Sequence, residues 1–164
     1  MDWFQIGLLL SALLCSLVAG LVLTFAIIVM PGIRTMGDRD YLIAFKVMDR
    51  IIQDGHPVFA LVWLGSAVVV LATTVLGFSR FDGLDQILLV VAGAIYIFGV
   101  HVPTVTINVP INNSLQSLDL DSASEDELSA LANTYETRWL RWNTIRTFIS
   151  IATTVLFLIL LNRV

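Results

Sequence analysis

The side chains able to do chemistry in this chain are few and crowded into one region. His101, Asn108, Asn112, Asn113, Trp139, Trp142, Asn143 and Arg146 fall within one stretch, and Asp49 and His56 precede it. Arg146 lies about one turn inside an apolar run, where a charge costs at least ~2.5 kcal/mol unless it is paired or hydrated. A guanidinium there, with the amides of Asn113 and Asn143, is suited to holding an oxygen that gains negative charge. His101 sits in an apolar setting that favours a neutral imidazole, a competent general base. Asn108, Asn112, Asp49 and His56 supply further polar contacts for a ligand, and Trp139 and Trp142 can stack on a flat ring.

Each residue also has a plainer role. Arg146 can snorkel to the interface or pair with Asp49 or Glu136, and His101 can bond a neighbouring carbonyl. His56 fits a Gly-His-Pro turn, Asn112 and Asn113 fit a turn after Pro110, and the tryptophans fit an interfacial belt. His56 and His101 with Asp49 or Glu136 leave a metal possible, although no HxxxH or ExxH spacing is present.

The elements that must position these residues are membrane helices. Of 164 residues, 57% are hydrophobic and 13% charged, which is wrong for a soluble surface. Four apolar runs, roughly Ile6 to Met30, Val58 to Phe78, Leu84 to Ile107 and Leu140 to Leu161, are each long enough to cross a ~30 Å hydrocarbon core. Continuous runs are helical, so the expected fold is an all-α bundle of four antiparallel transmembrane helices in a single domain spanning 1–164. The first run lacks a basic residue before it and a small residue at position 17, so it is expected to stay uncleaved. Cys15 is the lone cysteine, which excludes an intrachain disulfide. No basic patch for nucleic acid is present.

Within this frame, Met30-Pro31-Gly32 is expected to end the first helix and Pro110 the third, while Pro103 kinks the third beside His101. Ala12, Ser16, Gly20 and Thr24 make a small-residue stripe that suits close packing or a homo-oligomer seam. Arg34 to Asp54 reads as an amphipathic helix at the interface. Ser124 to Glu127 reads as a capping box that opens a partly extramembrane fourth helix about 55 Å long. Antiparallel crossing places both long connections on one side, so the candidate residues gather at one end. A pocket is expected there between the third and fourth helices with help from His56, and Gly93, Ile97, His101, Thr104 and Asn108 are expected to share a face. Arg34, Arg39, Lys46 and Arg50 lie in the first long connection, and Arg138 and Arg141 just beyond the other, against Arg80 and Arg163 opposite. Both long connections are therefore expected in the cytoplasm and the termini outside, in a bacterial cytoplasmic membrane.

His101-Val102-Pro103, then Asn108-Val109-Pro110-Ile111-Asn112-Asn113, then Trp139, Trp142, Asn143, Arg146 and Thr147 follow an order that resembles the anthrone oxygenase-like family of small four-helix membrane proteins. The resemblance implies oxidation of an activated aromatic or phenolic methylene by molecular oxygen without flavin, haem or metal. His101 would then be the base, and Arg146, Asn113 and Asn143 would stabilise the enolate oxygen. Two other classes stay open: a non-enzymatic membrane subunit or carrier for a lipid, quinone or other hydrophobic ligand, and a metal or haem protein using His56 and His101.

Overall fold

The computed structural model describes residues 1–164 as five helices: α1 (Trp3–Arg34), α2 (Asp38–Gln53), α3 (Pro57–Arg80), α4 (Gly83–Gln116) and α5 (Glu125–Leu161). All except α2 are long and apolar enough to cross a membrane. The capping box forms as expected: the Ser124 hydroxyl accepts from the Glu127 N–H, and the Glu127 carboxylate accepts from the Ser124 N–H. The 37 residues of α5 follow without a break, about 55 Å at 1.5 Å per residue.

Two expected helix ends are absent. Pro31 and Pro110 lie inside α1 and α4, and the turn before each proline is widened. The same holds for Pro103. The residue preceding each proline, Met30, Val102 or Val109, donates its N–H to the carbonyl five positions back, at Phe25, Ile97 or Thr104. A proline removes a donor and crowds the carbonyl one turn earlier. A single wide turn relieves that crowding without breaking the helix, a known use of such bulges near functional sites. The corrected picture is two long helices that continue past their prolines.

α5 packs along α1, and α3 packs on α1 and on the Gly83–Tyr96 part of α4. One core fills the end nearest the termini, around Phe4, Leu8, Val70, Leu89 and Phe157; a second fills the long-connection end, around Tyr41, Phe45, Leu115, Leu128 and Trp139. The interior face of α1 is Leu8, Cys15, Val18 and Val22. Of its small-residue stripe only Ala12 is buried, while Ser16, Gly20 and Thr24 are exposed, so the stripe does not form the bundle's internal seam.

The amphipathic α2 buries Tyr41, Leu42, Phe45 and Asp49 against α5 and the far end of α4. Its basic residues tie down the α4–α5 connection: Arg39 donates to the Leu120 carbonyl (2.6 Å) and Lys46 to that of Leu118 (2.7 Å). Arg34 at the end of α1 pairs with Asp38 (2.5 Å) and Glu136 (2.8 Å). The hydrogen bond from its guanidinium holds the Asp38 carboxyl below the usual carboxylate range. Glu136 is thereby committed to Arg34.

Candidate active site

At the long-connection end all five helices surround a cavity of about 310 Å³, at the lower end of the ~300–1,000 Å³ usual for small-molecule sites. Its wall is wider than the expected space between two helices. Val22 and Phe25 come from α1, Phe45 and Asp49 from α2, and Phe59 and Trp63 from α3. Thr104, Asn108 and Asn112 come from α4, and Trp139, Asn143 and Arg146 from α5.

Arg146 is 5% exposed and has no carboxylate within ion-pair distance. Neither Asp49 nor Glu136 is its partner. One terminal nitrogen donates to the Thr104 hydroxyl (2.8 Å) and the other to Asn143 Oδ1 (3.1 Å), while the plane lies 6.0 Å from the centroid of the Trp139 ring. The Thr104 hydroxyl in turn donates to the Val100 carbonyl, and Asn143 donates to the Val22 carbonyl of α1 (2.8 Å). Arg146 Nε, Trp139 Nε1 and both polar atoms of Asn108 are buried with no hydrogen-bond partner. Each such orphan costs about 1–3 kcal/mol. Four of them on cavity-lining residues of α4 and α5 mark where a polar ligand atom belongs.

On the opposing elements Asp49, also 5% exposed, accepts from three amides: Asn112 to Oδ1 (2.7 Å), and Gln53 (2.6 Å) and Gln116 (3.0 Å) to Oδ2. Tyr135 donates to Asn112 Oδ1 (2.9 Å) and fixes that amide's orientation. Gln53 and Gln116 were not among the sequence candidates. Their signal was available, since Asp49–Gln53 and Asn112–Gln116 are both i,i+4 pairs. In sequence Thr104 stands out only as a face-mate of His101, and the Val22 carbonyl leaves no trace.

The structure separates the remaining candidates from this cavity. His101 packs on Trp63 (4.9 Å between centroids) and edge-on to Tyr96 (5.1 Å), with Nε2 3.3 Å from Ser66 Oγ. Ser66 spends its only proton on the Trp63 carbonyl and also accepts from Tyr96. The ring lies outside the cavity, behind Trp63. His56 is exposed and caps α3, its Nδ1 facing the Phe59 N–H. Asn113 is exposed on α4, about 100° around the helix from Asn112, and Trp142 is half-buried beside Arg138 and Arg141 on the outside of α5. No three His, Cys, Asp or Glu side chains converge.

A family model described as anthrone oxygenase matches residues 48–156. The chain belongs to the anthrone oxygenase family. Neither a curated protein nor a solved structure shows significant similarity to it. The span matched to the anthrone oxygenase model contains Asp49, Trp63, Asn108, Asn112, Trp139, Asn143 and Arg146; the contribution of α1 to the cavity lies before it.

The cavity of this anthrone oxygenase family member opens sideways. α3 meets α4 along Gly83–Tyr96 and on to His101, which packs on Trp63 and Ser66; past that point the cavity lining carries Leu64 (63% exposed) and Val105 (64%), which form the rim of the gap. Those apolar side chains face the lipid if the four long helices span the membrane as their composition requires.

Because Arg146 has neutral partners only, replacing it leaves no buried acid unpaired. We predict that ligand-free Arg146→Leu melts, in detergent, within about 1 kcal/mol of the parent or above it, relief of desolvation offsetting two lost hydrogen bonds. A loss of about 3 kcal/mol or more, as when a buried ion pair is broken, would contradict this.

Proposed function

We propose that the cavity is the active site of a membrane oxygenase for a lipid-soluble aromatic ketone or phenol of the anthrone type. The observation that carries this reading is the set of unpartnered donors, Arg146 Nε, Trp139 Nε1 and Asn108 Nδ2, that α4 and α5 present to a cavity lined mostly by apolar and aromatic side chains. A flat ring system fits between Phe45, Phe59, Trp63 and Trp139, with its carbonyl oxygen toward Arg146. When a proton leaves the methylene conjugated with that carbonyl, the charge develops on the oxygen. Donors already fixed by Thr104 and Asn143 stabilise it without reorganisation. The resulting electron-rich carbanion reacts with dioxygen. Asn113, exposed on α4, has no part in this oxyanion site, and Asn108 takes its place. Trp142 and His56 stay outside it, while Asn112 acts by holding Asp49.

The reading invokes no flavin, haem or metal as cofactor. The substrate reaches the site from the bilayer through the gap between α3 and α4, which matches the apolar rim. In a bacterial cytoplasmic membrane the basic residues of α2 and the Arg138–Arg141 segment put both long connections, and the polar end of the cavity, in the cytoplasm.

Two measurements test this. Purified protein in lipid nanodiscs is expected to bind anthrone, with quenching of tryptophan fluorescence, and to consume one dioxygen per anthrone converted to the quinone. Arg146→Leu and Arg146→Lys should both lose at least about 100-fold in rate, since the ammonium cannot reproduce the flat fork. Binding without oxygen uptake would replace the enzyme by a carrier for hydrophobic ligands, and no binding would remove the reading. For orientation, an alkaline phosphatase fusion at the C-terminus should be active and one within 109–125 inactive; the reverse pattern would invert the topology.

A further inference from the structure

The cavity holds a second charged group that the oxyanion site does not use. Asp49 is buried, lines the cavity, and is held only by neutral amides. No cation pairs with it. Its oxygens are not equivalent. Oδ2 accepts from two amides and Oδ1 from one, which leaves Oδ1 an open lone pair. The Tyr135–Asn112 bond fixes the donor at Oδ1 and hence the orientation of the carboxylate. His101, by contrast, is locked against Ser66, Trp63 and Tyr96 outside the cavity.

We propose that Asp49, and not His101, is the catalytic base of this cavity. The proposal rests on the reading of the cavity as an oxygenase site for an aromatic ketone. In the step assigned to it, an Asp49 oxygen takes one proton from the substrate methylene. The C–H electron pair passes through the ring system to the carbonyl oxygen, which Arg146 holds as an anion. Dioxygen then accepts the electrons and forms a carbon–oxygen bond, and the proton on Asp49 passes to the peroxide oxygen. Loss of the second methylene hydrogen with cleavage of the O–O bond releases water and leaves a new carbonyl. Substrate plus dioxygen gives quinone plus water. Acid and oxyanion holder stay on separate elements, α2 and α5, and each keeps its own set of neutral dipoles. A direct Asp49–Arg146 pair would neutralise both.

The proton step can be read without oxygen. Anthrone is incubated anaerobically in D2O with the nanodisc-embedded protein, and exchange of its methylene protons is followed by ¹H NMR above the uncatalysed rate. The wild type is expected to accelerate exchange. Asp49→Asn should bind anthrone but lose about 100-fold or more of the acceleration, the usual scale of a general base, whereas His101→Phe should keep exchange within the same order of magnitude. Asp49→Glu should recover part of it. Retained exchange in a folded, anthrone-binding Asp49→Asn, or its loss in His101→Phe alone, overturns the proposal and leaves the oxygenase reading standing. If the wild type binds anthrone and accelerates no exchange, the oxygenase reading itself fails. Should Asp49→Asn not fold, Gln53→Leu, at an exposed position, removes one donor from Oδ2 and must alter the exchange rate; an unchanged rate overturns the assignment.

Discussion

Everything at the polar end of this bundle depends on a guanidinium held in a low-dielectric interior without a counter-ion. Arg146 is kept there by dipoles: the Thr104 hydroxyl, the Asn143 amide and the face of Trp139. The two polar ones are anchored in turn to backbone carbonyls, Thr104 on its own helix and Asn143 across to α1. Thr104 uses the Val100 carbonyl and Asn143 the Val22 carbonyl, so the charge joins α5 to both α1 and α4. Those contacts fall beside widened turns, Phe25–Val29 on α1 and Thr104–Asn108 on α4. The prolines behind those turns are therefore part of how the cavity is built, because they re-aim the helix walls around the arginine.

Asp49 poses the same problem with the opposite sign and solves it the same way, with three amides and no cation. Burying two opposite charges in one cavity and denying each the other is costly compared with pairing them. The arrangement leaves both free to act on a molecule placed between them. The unpartnered atoms of Asn108, Trp139 and Arg146 add to that cost, and a ligand offering complementary polar atoms would recover it. Glu136, the other acid that could have reached Arg146, lies nearer the long connections, where Arg34 takes it.

Much of this was legible from residue types. The four apolar runs announced the spanning helices, the Ser124–Glu127 box announced the start of α5, and antiparallel crossing gathered Trp139, Asn143 and Arg146 at one end with Asp49. The prolines misled because their usual effect is to stop a helix, and the tertiary contacts that sustain a widened turn leave no local signature. His101 also parts from its expected face-mates: regular phase would align 97, 101, 104 and 108, but the helix through them is interrupted by the wide turns Ile97–His101 and Thr104–Asn108. Thr104 and Asn108 reach the cavity, and His101 turns toward Ser66 and Tyr96. Asn113 shows the smaller error: it adjoins Asn112 in sequence, but on a continuing helix neighbours point in different directions, and only in the turn first expected after Pro110 could both amides face one site.

The most direct test of a cavity built around Arg146 reads the indole of Trp139, whose N–H is buried without an acceptor. In protein labelled with ¹⁵N-tryptophan, the four indole resonances can be assigned by single Trp→Phe substitutions and followed during anaerobic titration with anthrone. The expected result is a saturable downfield shift of the Trp139 indole proton as it gains the ligand oxygen, with a ring-current shift at Trp63 and none at Trp3 or Trp142. Saturable shifts at Trp142 with Trp139 unmoved would place the ligand on the outside of α5 and contradict the account.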